Sequence, residues 1–265
     1  VNAALSFYLM ELKKIVSYRA EFWLGFLGNV LTQFCVAFFL WKAIFAARGA
    51  VSLQGFTFGS LMLYYLLVPL VERIVQGQEM GYISTEIYDG GLSRYLIYPV
   101  SYFRVKYVGQ LAQSTVFLAQ LGLGLALFLA AFHQSFSLSL PTLARTLPVL
   151  LCAGLLQFAI TANLEMLAFW ADNVWSISVL HRLTSHLLGG GLIPLAFFPG
   201  WARRTLEWLP FTRLVSFPIR CLLGQVGGME WLFGIGLTLG WAALFAGAGA
   251  LIWRRGIKGY NGVGI

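Results

Sequence analysis

Six stretches of this chain run long enough with little or no charge to cross a membrane, and that feature limits what it can fold into. They are residues 22–41, 56–71, 107–132, 146–164, 183–202 and 231–253. Spanning the hydrocarbon of a bilayer takes about 20 apolar residues at a rise of about 1.5 Å each. The second run continues through Glu72 and Arg73 to about residue 78, the fourth passes Glu165 to reach 171, and the fifth contains His186. An open strand edge in lipid would leave backbone N–H and C=O groups unpaired, so each run is predicted as a helix. Composition points the same way. Hydrophobic residues make up 59% and charged residues 11%, whereas a soluble domain needs roughly 25% charged residues to cover its surface. The expected fold class is an all-α integral membrane protein with six transmembrane helices, in a single domain over residues 1–265.

An even number of spans puts both termini on one side. With the N-terminus inside, the inner segments hold Lys13, Lys14, Arg19, Arg94, Arg104, Lys106, Arg182, Arg254, Arg255 and Lys258, and the outer ones hold Lys42, Arg48, Arg145, Arg203, Arg204, Arg213 and Arg220. Ten against seven favours both termini in the cytoplasm. The net charge of +8 is therefore read as loop and head-group charge, and no nucleic-acid partner is expected. Three cysteines (Cys35, Cys152, Cys221) cannot make a complete disulfide framework. No cleavable signal peptide is expected, because the chain opens on an amphipathic stretch.

That stretch, within about 1–21, repeats Leu5, Leu9, Leu12 and Val16 at helical spacing. It predicts an interfacial helix lying at the head groups, or one packed in a protein groove. The longest polar interval on the inner side is 83–106. Asp89-Gly90-Gly91 breaks it, and Pro99 stops any helix beyond the break. Leu92, Tyr95, Leu96 and Tyr98 form a short apolar and aromatic surface flanked by Glu86, Asp89 and Arg94. Two readings stand: a docking surface for a cytoplasmic partner, or aromatics anchored in the interface. The interval 198–230 holds Pro199, Pro210 and Pro218 with Arg203, Arg204, Arg213 and Arg220. It predicts short re-entrant helices that dip into the outer leaflet before the last span, with the arginines reaching the head groups. Small residues at Gly122, Ala126 and Ala130, and at Gly236 and Gly240, predict close helix packing.

A nucleotide-binding loop needs a Lys followed by Ser or Thr after a glycine-rich turn. None of the five Lys has that neighbour, so any ATP hydrolysis belongs to another chain. His133, His181 and His186 lack the short spacings and companion ligands of a metal site, and no GxSxG elbow occurs. No catalytic, metal or cofactor residue is expected. Glu72, Arg73 and Glu165 are the ionisable groups within the predicted helices, at roughly 2.5–3.5 kcal/mol each if they sat at a helix centre. They face a polar pathway, or form structural ion pairs near the inner interface. Gly189-Gly190-Gly191, with Pro194 and Pro199 after it, interrupts the fifth run. Such a break either lines a binding site or leads into the 198–230 segment.

Taken together the chain resembles the type-2 ABC exporter permeases, in a poorly characterised bacterial branch. The resemblance is carried by Lys13, Lys14, Tyr18 and Arg19 before the first span and by the segment 89–99 after the second. Further points are Phe169-Trp170, Gly191-x-x-Pro194, Phe198-Pro199, Leu209-Pro210-Phe211, Phe217-Pro218, and 256–264 with Tyr260. The family's Arg before the loop proline is Tyr98 here. The resemblance implies a permease of the bacterial inner membrane that works as a dimer, with an identical or homologous second permease. ATP and Mg would be bound by a separate cytosolic ABC ATPase. Coupling to it would run through 83–106, with Glu86, Tyr88, Asp89, Arg94, Tyr95 and Tyr98 as coupling residues. Spans one, two and five would open the path, and family substrates include lipids, glycans, drugs and peptides. The alternative is a nucleotide-independent secondary carrier or intramembrane enzyme relying on Glu72, Arg73 or His186.

Overall fold

A computed structural model describes residues 3–17, 19–78, 80–97, 101–132, 140–260 and 262. Among them five helices are long and apolar enough to cross a membrane, with windows Val30–Arg48, Phe58–Gln76, Tyr102–Phe128, Pro141–Phe169 and Gly228–Gly259. They belong to α2 (Arg19–Arg48), α3 (Phe58–Gln76), α6 (Tyr102–Phe132), α7 (Leu140–Glu165) and α12 (Gly228–Gly259). Each runs past the apolar stretch that predicts it, because Arg and Lys at a helix end can reach the head groups along their own stems.

The predicted fifth span is not one helix. α8 (Trp175–Leu188) has 14 residues, about 21 Å, and stops at Gly189. A bend, a 3-10 turn (Leu195–Phe197) and α9 (Gly200–Trp208) come next. Pro194 and Pro199 sit just before the last two, where a missing N–H costs nothing. Two more short helices, α10 (Pro210–Leu214) and α11 (Ser216–Leu222), complete the proline-rich interval. Its four arginines do not behave alike. Arg203 and Arg204 are exposed, with Arg203 bonded to Glu207 one turn on. Arg213 is buried against the Glu207 carbonyl and the Phe217 ring, and Arg220 pairs with Glu230 at 2.8 Å. The expectation that all four reach the head groups is corrected for Arg213.

α1 (Ala3–Ser17) lies along α6, with Tyr8 Oη donating to Thr115 Oγ1 at 2.9 Å. The stretch between α2 and α3 makes a short hairpin (Ser52–Leu53 with Phe56–Thr57) turning at Gln54 and Gly55, both with positive φ. Thr57 and Ser60 then form a reciprocal cap on α3.

α3 is the central element. Leu61, Met62, Leu67 and Leu70 are fully buried, and α2, α6, α7 and α11 pack around it. α2 and α12 leave Leu31, Val36, Phe39, Leu232, Leu244 and Leu251 exposed, which lipid tolerates and water does not. α12 packs mainly on α7. Gly249 meets Asn163 of α7 there, Gly256 meets Phe169 just past the end of α7 and Gly234 meets Phe217 of α11, and Asn163 donates to the Phe245 carbonyl at 2.8 Å. Gly236, Gly240 and Gly122 have nothing within 4 Å of where a Cβ would stand. For packing within the chain, the small-residue motifs point to the wrong face of both helices.

Candidate functional site

Two assemblies bring together the polar residues that the apolar runs leave unexplained. The first lies at the end of α7. Between α3 and α6 the chain folds into α4 (Ser84–Tyr88) and α5 (Leu92–Ile97). A short helix has orphan backbone N–H groups at its start. Here they are taken by Glu165, whose carboxylate accepts from Gly81 N at 2.8 Å, Ile83 N at 2.6 Å and Ser84 N at 3.3 Å. Glu165 therefore acts as a cap for the segment between α3 and α6.

A buried lysine holds the other side. Lys106, on the first turns of α6, is fully buried, with Nζ 2.5 Å from Glu86 Oε1. The same ammonium lies over the rings of Tyr82 at 3.6 Å, Tyr95 at 4.9 Å and Tyr102 at 5.2 Å. Tyr102 Oη donates to Glu86 Oε2 at 2.7 Å. A cation surrounded by three ring faces and a carboxylate is stabilised by ring quadrupoles and Coulomb attraction together. Burial pushes the Tyr95 hydroxyl above its ordinary range and the Tyr82 hydroxyl up to about 12, so both stay neutral. Leu92, Ile83 and Ile87 pack beneath with Ala162 and Met166, and Trp253 and Ile257 of α12 close the cluster. Tyr88 Oη donates to the Ala171 carbonyl at 2.9 Å.

Of the predicted coupling residues, Glu86, Tyr88 and Tyr95 are thus engaged inside this cluster, while Asp89 and Arg94 are exposed. Tyr98 lies outside the described residues. Leu92, expected on an exposed surface, is fully buried; the exposed apolar tip is Leu96 and Ile97. In the sequence Lys106 counts only as loop charge. Its cage is not legible there, since Tyr82, Tyr95 and Tyr102 meet it only after α4 and α5 fold back.

The second assembly is a cavity of about 310 Å³ among α2, α3, α7, α8 and α10. Its polar lining includes Glu72, Arg73 and Gln76 of α3, Gln157 of α7, and His181, Arg182, Ser185 and His186 of α8. Glu72 Oε1 lies 2.7 Å from His186 Nδ1. The Arg73 guanidinium lies over the Phe117 ring at 4.9 Å. His181 is buried, with Nδ1 3.3 Å from Ser185 Oγ.

The glycine triplet makes this corner. Gly190 has φ +88° and its carbonyl accepts from Tyr64 Oη at 2.8 Å. Tyr65 Oη donates to the Leu192 carbonyl at 2.9 Å, and Ser216 N donates to the Gly189 carbonyl at 3.1 Å. A Cβ on Gly191 would lie 2.8 Å from Glu72 Oε1 and would overlap His186 Nδ1. The triplet ends α8 beside the cavity and leads into the proline-rich helices, while none of its three glycines is among the lining residues. Glu72 and Arg73 come together with His186 here. His181 and Arg182 join them without a sequence cue beyond their nearness to the triplet. Among the described residues no cluster of three metal-ligating side chains occurs.

A family model described as "ABC-2 family transporter protein" matches residues 31–264. No curated protein and no solved structure matches the chain.

Proposed function

We propose that this chain, which belongs to the ABC-2 transporter family and is a membrane permease component of an ABC transporter, forms an export path as a dimer, driven by a separate cytosolic ATPase. It is a transporter subunit and a multi-pass membrane protein. The proposal places it in a bacterial inner membrane with both termini inside.

One observation carries the mechanical part: residues 81–97 are clamped to three long helices at once. Glu165 holds the segment to α7, Lys106 and Tyr102 hold it to α6, and Trp253 and Ile257 of α12 pack against the apolar cluster it shares with them. A loop fixed at one end would absorb a push by bending. A segment fixed to three helix ends passes displacement on to them. Its exposed face offers Asp89, Arg94, Leu96 and Ile97, two charges beside an apolar tip, which suits a groove on a partner. In this reading nucleotide-driven closure of the ATPase pushes on 81–97 and changes the width of the cavity between α3 and α8.

Co-expression with the ABC ATPase encoded beside it, and then reconstitution, tests this. The complex is expected to hydrolyse ATP with a rate that responds to the permease. Asp89→Ala, Arg94→Ala and Ile97→Ala, which spare the clamp, should leave assembly of the membrane domain intact and lower transport per ATP. Unchanged transport per ATP in all three would remove the docking claim.

A further inference from the structure

We propose that the Glu72–His186 pair is a proton-sensitive latch, which holds the end of α8 against α3 in acid and slackens as the pH rises through the imidazole range. The inference goes beyond the permease reading and does not depend on it.

The latch is fastened on two sides. His186 stands in the last turn of α8, and its backbone carbonyl accepts from Gly191 N at 2.8 Å and Leu192 N at 3.0 Å. Its ring reaches across to α3, with Nδ1 2.7 Å from Glu72 Oε1. One residue therefore secures the turn that closes α8 and also ties that turn to α3. The packing leaves the ring little slack, since a Cβ on Gly191 would overlap it. Both partners are partly exposed and both line the cavity of about 310 Å³, so water can carry protons to the ring.

The neighbours set the sign. The Glu72 carboxylate favours the charged imidazolium, and so does the C-terminal end of α8, where backbone carbonyls are left unpaired. Arg73 of α3 and Arg182 of α8 line the same cavity and oppose it. Coulomb energy falls with distance, and the carboxylate is at hydrogen-bond distance from the ring. His181, the other imidazole of α8, is buried, with Nδ1 beside Ser185 Oγ. α2, α7 and α10 add amide and apolar groups to the lining and no charge. Arg220 of α11 is paired with Glu230. A neutral ring can still donate Nδ1–H to Glu72, but a hydrogen bond between two charged groups is shorter and stronger. The added hold is therefore present while the ring is protonated. It is lost once the pH passes the imidazole pKa, ordinarily about 6.5. The Tyr64 and Tyr65 hydroxyls, which bond the Gly190 and Leu192 carbonyls, ordinarily titrate near 10 and give a hold that does not vary over this range.

Hydrogen exchange of the purified protein in a neutral detergent tests the latch. It is read as protection factors for residues 187–192 at pH 5.5 and 8.5, so that the intrinsic pH dependence of exchange is removed. Native protection is expected to be about fivefold higher at pH 5.5. His186→Gln keeps a donor toward Glu72 but cannot titrate, and should abolish the difference. Glu72→Gln removes the charge from the other helix and should cut the difference by at least half. The two variants alter different helices, so one failing to fold leaves the other to decide. His181→Gln should keep the native response. Equal native protection at the two pH values, a difference undiminished in His186→Gln or Glu72→Gln, or a difference that disappears in His181→Gln would overturn the assignment. The measurement needs neither ATP nor a partner, so its failure leaves the permease reading standing.

Discussion

Replacing Gly191 by alanine should break the cavity's Glu72–His186 pair without touching either partner. Gly191 has an ordinary φ, so the effect is steric and not a matter of backbone freedom. The new Cβ would stand 2.8 Å from Glu72 Oε1 and would overlap His186 Nδ1, forcing the 2.7 Å contact between them apart. A hydrogen bond to a charged group contributes about 1.5–3 kcal/mol net. Both side chains are partly exposed (29% and 26%), and solvent screening puts the loss near the lower figure. At about 2–4 °C per kcal/mol for a chain of this size, the midpoint should fall by about 3–6 °C. The assay is a thermal melt of the purified protein in detergent, run on a double-mutant cycle with His186→Gln. If the pair transmits the damage, Gly191→Ala costs little once His186 is gone. A full, undiminished cost in the His186→Gln background, or no cost in the native one, refutes the reasoning.

Three further outcomes rest on the same geometry. Glu165→Gln keeps the shape but takes the charged acceptor from all three backbone N–H groups and leaves at least one of them facing an NH2 donor, so residues 81–88 should lose hydrogen-exchange protection; unchanged exchange there would contradict the capping role. Lys106→Met leaves Glu86 facing the tyrosines alone, at a cost of about 3 kcal/mol, and Glu86→Gln in the same chain should restore most of it, which paired melts would read. Gly234→Leu must displace the Phe217 ring and should destabilise the fold, whereas Gly240→Leu meets open space and should melt like the native protein; equal melting points would mean that α12 is rotated from the face described.

The parts legible in the sequence are those governed by local pattern. Five spans announce themselves because each must hide its own backbone in lipid, and the pattern needed for that is long and uncharged. The region 183–202 has the same apolar cue but contains Gly189-Gly190-Gly191, Pro194 and Pro199, and there the local backbone rule outweighs the composition. Glu72 and Arg73 stand out because ionisable groups are costly in a helix core. The partner of Glu72, His186, lies 114 positions away, and no periodicity links the two. Glu165 stands out for the same reason, yet the three backbone N–H groups it accepts from come together where α4 begins, which only the fold determines. The GxxxG cue finds no partner within the chain for a related reason: spacing says that one face is smooth, not which neighbour, in this chain or in a second permease, lies against it.

The two assemblies are joined through the C-terminal end of α3. Gln110 of α6 donates to the Val75 carbonyl at 3.3 Å and the Gly154 carbonyl at 2.8 Å, and Ser114 donates to the Ile74 carbonyl at 2.7 Å. The same α6 carries Lys106 and Tyr102, one turn and two turns before Gln110, so these contacts join α3, α6, α7 and the clamped segment into one bonded set. α8 stands outside it. Across the cavity its described polar ties to α3 are the Glu72–His186 pair and the Tyr64 and Tyr65 hydroxyls just past its end. In the proposed coupling, a push at 81–97 would reach the cavity along this α3–α8 seam.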